Sequence, residues 1–116
     1  MSLLSRLFGG GSATVAEIDV AGTVEAQANG GAQIVDCRSE REWKSGHIKG
    51  SRLMPLGSIG DRLTELDPER PVIVVCRSGH RSSLAARTLS SAGFSDVKSM
   101  KGGINAWSRS GNRLIS

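Results

Sequence analysis

The sequence predicts an α/β fold, a three-layer sandwich in which a central, mostly parallel sheet of five strands is flanked by helices. Short apolar and β-branched runs alternate with helix-friendly stretches along the chain, the pattern that builds such sheets. Val72-Ile73-Val74-Val75 is apolar at every position, as a strand covered on both faces must be. The 116 residues suffice for one domain and for no second core; a chain of this size buries about 70% of the surface it exposes unfolded.

An edge strand is expected near Glu17 to Val20 and a helix near Gly22 to Asn29. Ile34 and Val35 mark a second buried strand, Gln33 to Cys37, followed by a short helix around Glu40 to Lys44. After a strand near Arg52 to Met54, the shared face of Ile59, Leu63 and Leu66 predicts a helix over Ser58 to Leu66. Asp67-Pro68 ends it, because proline cannot continue a helix. The strand Val72 to Cys76 comes next, and from Ser82 the chain turns helical, with Leu84, Ala85, Leu89 and Ala92 on one face and Gly93 as its stop. A strand around Val97 to Ser99 and a helix near Ile104 to Ser108 complete the sandwich. There are no internal repeats.

Cys76 therefore stands at the carboxyl end of the most apolar strand, and Arg77-Ser78-Gly79-His80-Arg81 must wrap between that strand and the next helix. Such a turn points backbone N–H groups inward around the sulfur, and a nest of this kind with a helix N-terminus behind it binds anions. The thiolate is the nucleophilic form of cysteine, and its pKa of about 8.5 falls to roughly 3.5 to 7.5 beside cations or at helix N-termini. Arg77 and Arg81 flank the loop. Cys76 reads as a reactive thiolate rather than as an inert cysteine ending a strand.

The segment Cys76 to Ser82 resembles the active-site loop of the rhodanese-like sulfurtransferase family. Upstream, Asp36-Cys37-Arg38, then Glu42-Trp43 and Gly46-His47-Ile48-Lys49-Gly50, is similar to the family's first motif. Downstream, Gly102-Gly103-Ile104-Asn105-Ala106-Trp107 is similar to its closing one, so that the likeness covers residues 34 to 107. Phosphatases and arsenate reductases share this architecture, with five residues between their cysteine and arginine. Only four separate Cys76 from Arg81. A shorter loop makes a tighter ring of donors, suited to a terminal sulfur rather than to a phosphate with three equatorial oxygens.

The resemblance implies a double displacement. Cys76 would attack the outer sulfur of a small anionic donor such as thiosulfate, expel sulfite and become a persulfide, which a thiol or cyanide acceptor would discharge. Backbone N–H groups of Arg77, Ser78, Gly79, His80 and Arg81 would hold the outer sulfur, and no cofactor is required. The alternative reading is a relay or binding module that exchanges a persulfide with a protein partner and has little activity on free anions. A phosphatase or arsenate reductase ranks third, on loop length.

The side chains around the loop divide into chemistry and support. Arg77 and Arg81 have two readings: orienting an anionic donor, or else pointing to solvent or pairing with a carboxylate. Gly79 supplies a positive φ. Ser78 and Ser82 can donate to sulfur, although Ser82 is expected to cap the helix. His80 has no proton to abstract in thiolate attack on sulfane sulfur, and His47 reads as a structural imidazole. Two histidines and two cysteines lack zinc spacing, so no metal site is expected. Asp36, at a strand's carboxyl end, is expected to support the loop by fixing Arg38 or the backbone. Cys37 stands where the family usually shows a small aliphatic residue and is read as a core hydrophobe ahead of a resolving thiol for Cys76. Two-domain thiosulfate enzymes of the family carry lysine at the position of Ser78 and arginine at that of Glu42. Their absence here implies modest thiosulfate turnover and leaves room for a persulfide donor.

Residues 1 to 12 are expected to form a flexible tail, with Leu3, Leu4, Leu7 and Phe8 on one side of a helical turn before Gly9-Gly10-Gly11-Ser12, and residues 13 to 116 the folded domain. The tail's apolar stretch is too short to span a bilayer, and it makes a poor signal peptide. A formal charge of +4 favours small anions. Scattered basic residues, 3% aromatics and no tyrosine leave no stacking platform, so nucleic acid is not expected as a partner. A nucleophilic thiol without a disulfide framework suits a reducing, cytoplasmic setting.

Overall fold

The computed structural model describes residues 15–116, and the expected tail, residues 1 to 12, lies outside them. Five strands, β1 (Glu17–Ile18), β2 (Gln33–Asp36), β3 (Arg52–Leu53), β4 (Val72–Val75) and β5 (Val97–Met100), form one sheet in the order β1-β5-β4-β2-β3. Every pairing is parallel. The all-apolar β4 takes the centre and is buried along its length, which explains why its sequence shows no polar alternation.

Four helices, α1 (Val20–Asn29), α2 (Glu40–Ser45), α3 (His80–Ser91) and α4 (Gly103–Arg109), accompany the sheet. Because strand side chains alternate between faces, the core divides in two. Val35, Val74 and Cys76 join Ala85, Ala86 and Leu89 of α3 in one half. Ile34, Ile73 and Val75 join Ile104 and Trp107 of α4 in the other.

Several expected boundaries shift. The helix expected over Ser58 to Leu66 is instead a pair of 3-10 turns, Leu56–Asp61 and Leu63–Glu65. Gly57 and Gly60 weaken an α-helix there, and Arg62, at φ −124°, breaks the run. Ile59 and Leu66 still reach the core, so the apolar spacing is satisfied by a different backbone. Asp19 ends β1 early because its Oδ1 accepts the Gly22 N–H at 2.7 Å and starts α1 at Val20. Similarly α3 begins at His80 rather than Ser82, with Gly79 at φ 116° as its N-cap. His80 and Arg81 are thus in the helix, and the connection from β4 is only Cys76 to Gly79.

At the end of β2 a buried ion pair fixes the next connection. Asp36, fully buried, accepts the Arg38 backbone N–H at 3.0 Å and its Nη2 at 2.8 Å, and the same Nη2 donates to the Gly46 carbonyl at 2.7 Å. Asp36 is thus bonded to Arg38, and Arg38 in turn to the loop that follows α2. Among the described residues no helix is long and apolar enough to cross a membrane.

Removing Asp36 alone would leave the Arg38 guanidinium buried without a counter-charge. Asp36→Ala is expected to lower the unfolding free energy by about 3–5 kcal/mol. The double variant Asp36→Ala/Arg38→Met is expected to lose clearly less. Urea unfolding of both variants checks the order.

Candidate active site

β2 and β4 pair in register up to Asp36 and Val75, so the next residue of each strand, Cys37 and Cys76, emerges side by side at the carboxyl edge of the sheet. Cys37 N–H donates to the Val75 carbonyl at 2.9 Å. From Cys76 the chain turns back through Gly79, whose positive φ brings its N–H to 3.0 Å from the Cys76 sulfur. Ser82, in the first turn of α3, sets its hydroxyl 3.4 Å from that sulfur and 2.7 Å from Ser99 Oγ on β5. Ser99 can thus donate to Ser82 while Ser82 donates to a thiolate. Ser82 does not cap the helix as expected, because α3 starts two residues earlier and turns this side chain inward.

These donors decide the ionisation. The Cys37 thiol donates to Cys76, the Ser82 hydroxyl and the N–H groups of Ser82 and Gly79 add to it, and they lower the Cys76 pKa to about 4 against the opposing effect of burial. Cys37 moves the other way, pushed up by that same hydrogen bond, by burial and by the negative charges of Cys76 and Asp36. One proton serves two thiols: Cys37 keeps it and Cys76 gives it up.

The two arginines are engaged elsewhere. Arg81 makes a bidentate pair with Glu42, at 2.7 and 2.9 Å, and Arg77 Nε reaches the same carboxylate at 3.2 Å. Of the two readings open for these side chains, pairing with a carboxylate is the one observed. Glu42 also closes the capping box of α2, accepting the Ser39 N–H at 3.0 Å. Its carboxyl is held far below the ordinary range, first by Arg81. Arg81 still senses the negative charge of Cys76, behind that of Glu42. Ser78 and His80 are exposed.

The closing motif carries the loop from beneath. Ile104 N–H donates to the Cys76 carbonyl at 2.8 Å and Asn105 N–H to the Arg77 carbonyl at 3.1 Å. Such an approach is open only to glycine at position 103, where φ is +57° and a Cβ would press into both carbonyl oxygens. Trp107 is buried in the second core, its Nε1 donating to the Arg113 carbonyl at 3.0 Å. His47 stacks on Trp43 with ring centroids 3.5 Å apart, and its Nδ1 is 2.9 Å from the Trp43 carbonyl, the structural part expected of it. No group of three or more His, Cys, Asp or Glu gathers to hold a metal among the described residues.

Four contributors were not assigned these parts by sequence reasoning: Cys37 as proton holder, the Ser82 N–H, Ser99 behind Ser82, and Glu42 as partner of both arginines. Only Cys37 carried a signal, since it follows its strand as Cys76 follows β4.

A lowered thiol pKa predicts alkylation kinetics directly. The rate at Cys76 is expected to be flat from pH 6 to 9 and to fall only in acid, toward the value of about 4. Cys37→Ala removes one donor to the thiolate, worth about 1.5–3 kcal/mol for a charged acceptor, and should move the inflection up by about one to two pH units. Alkylation rates measured against pH at low ionic strength test both statements.

The Rhodanese-like domain family model matches residues 20–110. Thiosulfate sulfurtransferase GlpE of Stutzerimonas stutzeri is 43% identical over 82 residues, covering 71% of this chain and 75% of that protein. The protein of the same name from Pseudomonas aeruginosa strain LESB58 is 42% identical over 77 residues, 66% of this chain and 70% of that one. A solved rhodanese-related protein from Thermoplasma volcanium is similar with a TM-score of 0.79 at 25% identity, covering 86% of this chain and 97% of its own. The matched span runs from the first residue of α1 through the last of α4, taking in all three motifs, and on that extent the chain belongs to the rhodanese-like domain family.

Proposed function

We propose that this chain is a sulfurtransferase that carries a sulfane sulfur on Cys76 as a persulfide. The observation that carries the reading is the Cys76 sulfur at the carboxyl end of β4, met by the Gly79 N–H at 3.0 Å and by the Ser82 hydroxyl at 3.4 Å, a setting that lowers its pKa to about 4. In the first displacement the thiolate attacks the outer sulfur of a donor such as thiosulfate; the sulfur–sulfur bond of the donor breaks and its electron pair leaves with sulfite. The outer sulfur of the persulfide then carries the negative charge, which the Gly79 N–H and the Ser82 hydroxyl are suited to receive. A thiol or cyanide attacks that sulfur in the second displacement and returns the Cys76 thiolate. Neither step needs a general base.

Two features argue for sulfur over phosphorus as the transferred centre. Cys76 is 1% exposed, which suits a slender terminal atom. Phosphoryl transfer needs an arginine to clamp equatorial oxygens, and here the Arg81 fork is closed on Glu42. The names of the GlpE relatives fit the same chemistry.

Glu42 also bears on the donor. Its charge offsets one of the two guanidinium charges at the loop, which disfavours a free dianion and favours a persulfide brought on a small thiol or a partner protein. The relay reading is therefore kept as the second, and a reducing cytoplasm, where the thiolate stays reduced, is part of the proposal.

Incubated with thiosulfate, the reduced protein is expected to gain the mass of one sulfur, and Cys76→Ser to gain none. With cyanide present, thiocyanate should form with ping-pong kinetics. Loading with negligible turnover would move the assignment to the relay reading, and turnover of an aryl phosphate without loading would overturn the proposal. Glu42→Gln keeps the capping box while removing the carboxylate charge. About 1 kcal/mol of repulsion toward the dianion goes with it, so the KM for thiosulfate should fall about fivefold with kcat little changed.

A further inference from the structure

Cys37 is a second thiol on the strand next to the nucleophile, in the same half of the core, and sulfur transfer to an outside acceptor does not consume it. Its position suits more. The two cysteines follow the last in-register pair of adjacent parallel strands, face the same half of the core, and are both free. Neighbouring strands lie about 4.8 Å apart, inside the Cα separation of roughly 4.4–6.8 Å that a disulfide spans. Cys37 approaches the Cys76 sulfur from β2, whereas Gly79 and Ser82 approach it from the loop and α3.

We propose that Cys37 is a resolving thiol: it attacks the inner sulfur of the Cys76 persulfide, releases hydrogen sulfide and closes a Cys37–Cys76 disulfide. The inference rests on the persulfide reading above and adds to it a sulfide-releasing activity. The proton of the Cys37 thiol passes to the anionic outer sulfur of the persulfide. The Cys37 sulfur then bonds to the Cys76 sulfur, and the bond from Cys76 to the outer sulfur breaks, its electron pair leaving with hydrosulfide. The sulfane sulfur is reduced, the two cysteine sulfurs are oxidised, and no outside oxidant enters. A dithiol reductant restores both thiols for the next cycle. The roles are not reversed in the resting protein because the Cys37 thiol, buried beside the negative charges of Cys76 and Asp36, keeps its proton until the outer sulfur takes it.

The test is a single loading of fully reduced, desalted protein with thiosulfate, without air, cyanide or thiol. Wild type is expected to release a stoichiometric burst of sulfide, to end lighter by two hydrogens, and to resist alkylation at both cysteines after unfolding. Cys37→Ser, which keeps a hydroxyl donor beside Cys76, should instead gain one sulfur and release no sulfide. Adding a dithiol should turn the wild-type burst into steady sulfide production. Wild type that retains the extra sulfur while Cys37 stays open to alkylation overturns the inference and leaves the persulfide reading standing. Failure of both proteins to load sulfur overturns the reading and the inference together. A disulfide formed without thiosulfate under the same conditions also overturns the inference.

Discussion

Parallel pairing of β2 with β4 is the constraint on which the site depends. Four consecutive register pairs, from Gln33 with Val72 to Asp36 with Val75, align the carboxyl ends of two central strands and so deliver two cysteines to the same point. A shift of one residue would send one sulfur to the opposite face of the sheet. Register is held tightly because both strands are buried, and because the Asp36–Arg38 pair begins where the ladder ends. Core packing and the geometry of the candidate site therefore rest on the same strand pairing.

The Cys76 thiolate is stabilised chiefly by neutral donors. Hydrogen bonds from Cys37, Ser82 and Gly79 act in a dry setting, where dipoles are strong and need little reorganisation. The arginines beside the loop contribute to the architecture, tying α2 to the start of α3 through Glu42. One carboxylate thus closes the capping box of a helix, joins two elements and offsets the positive charge beside the loop. Because the sulfur is not locked against a guanidinium, it stays available to attack.

Much of this was legible in the sequence. The uninterrupted apolar run of β4 announced a central parallel strand and Cys76 marked the loop, whereas Gly102-Gly103 was read only as part of the closing motif, and the close approach of Gly103 to that loop emerged with the structure. Asp36 and Arg38 were readable because an acid and a base two apart at a strand end have one another as nearest partner. The misreadings have physical causes. Ile59, Leu63 and Leu66 recur at a spacing that 3-10 turns bury as well as an α-helix does, so periodicity alone could not separate them. The start of α3 turned on Gly79 accepting a left-handed φ, which moved Ser82 from the helix end to its inner face. Glu42 and its arginines lie 35 and 39 residues apart, and no local pattern announces a contact of that range.

Sharing one proton between Cys37 and Cys76 also bears on why so acidic a thiol remains useful. Nucleophilicity falls as thiol pKa falls, so a sulfur ionised by a fixed cation would be abundant as thiolate but sluggish. A thiol donor is a movable source of stabilisation. It lowers the resting pKa while Cys76 waits, and its proton can follow the negative charge once that charge has moved outward onto a second sulfur. A lysine or arginine at position 37 could supply the first effect but could not then attack, and a small aliphatic residue could supply neither. On the proposed reading, a cysteine at this position couples the charge state of Cys76 to the fate of the sulfur it would carry, across two adjacent strands.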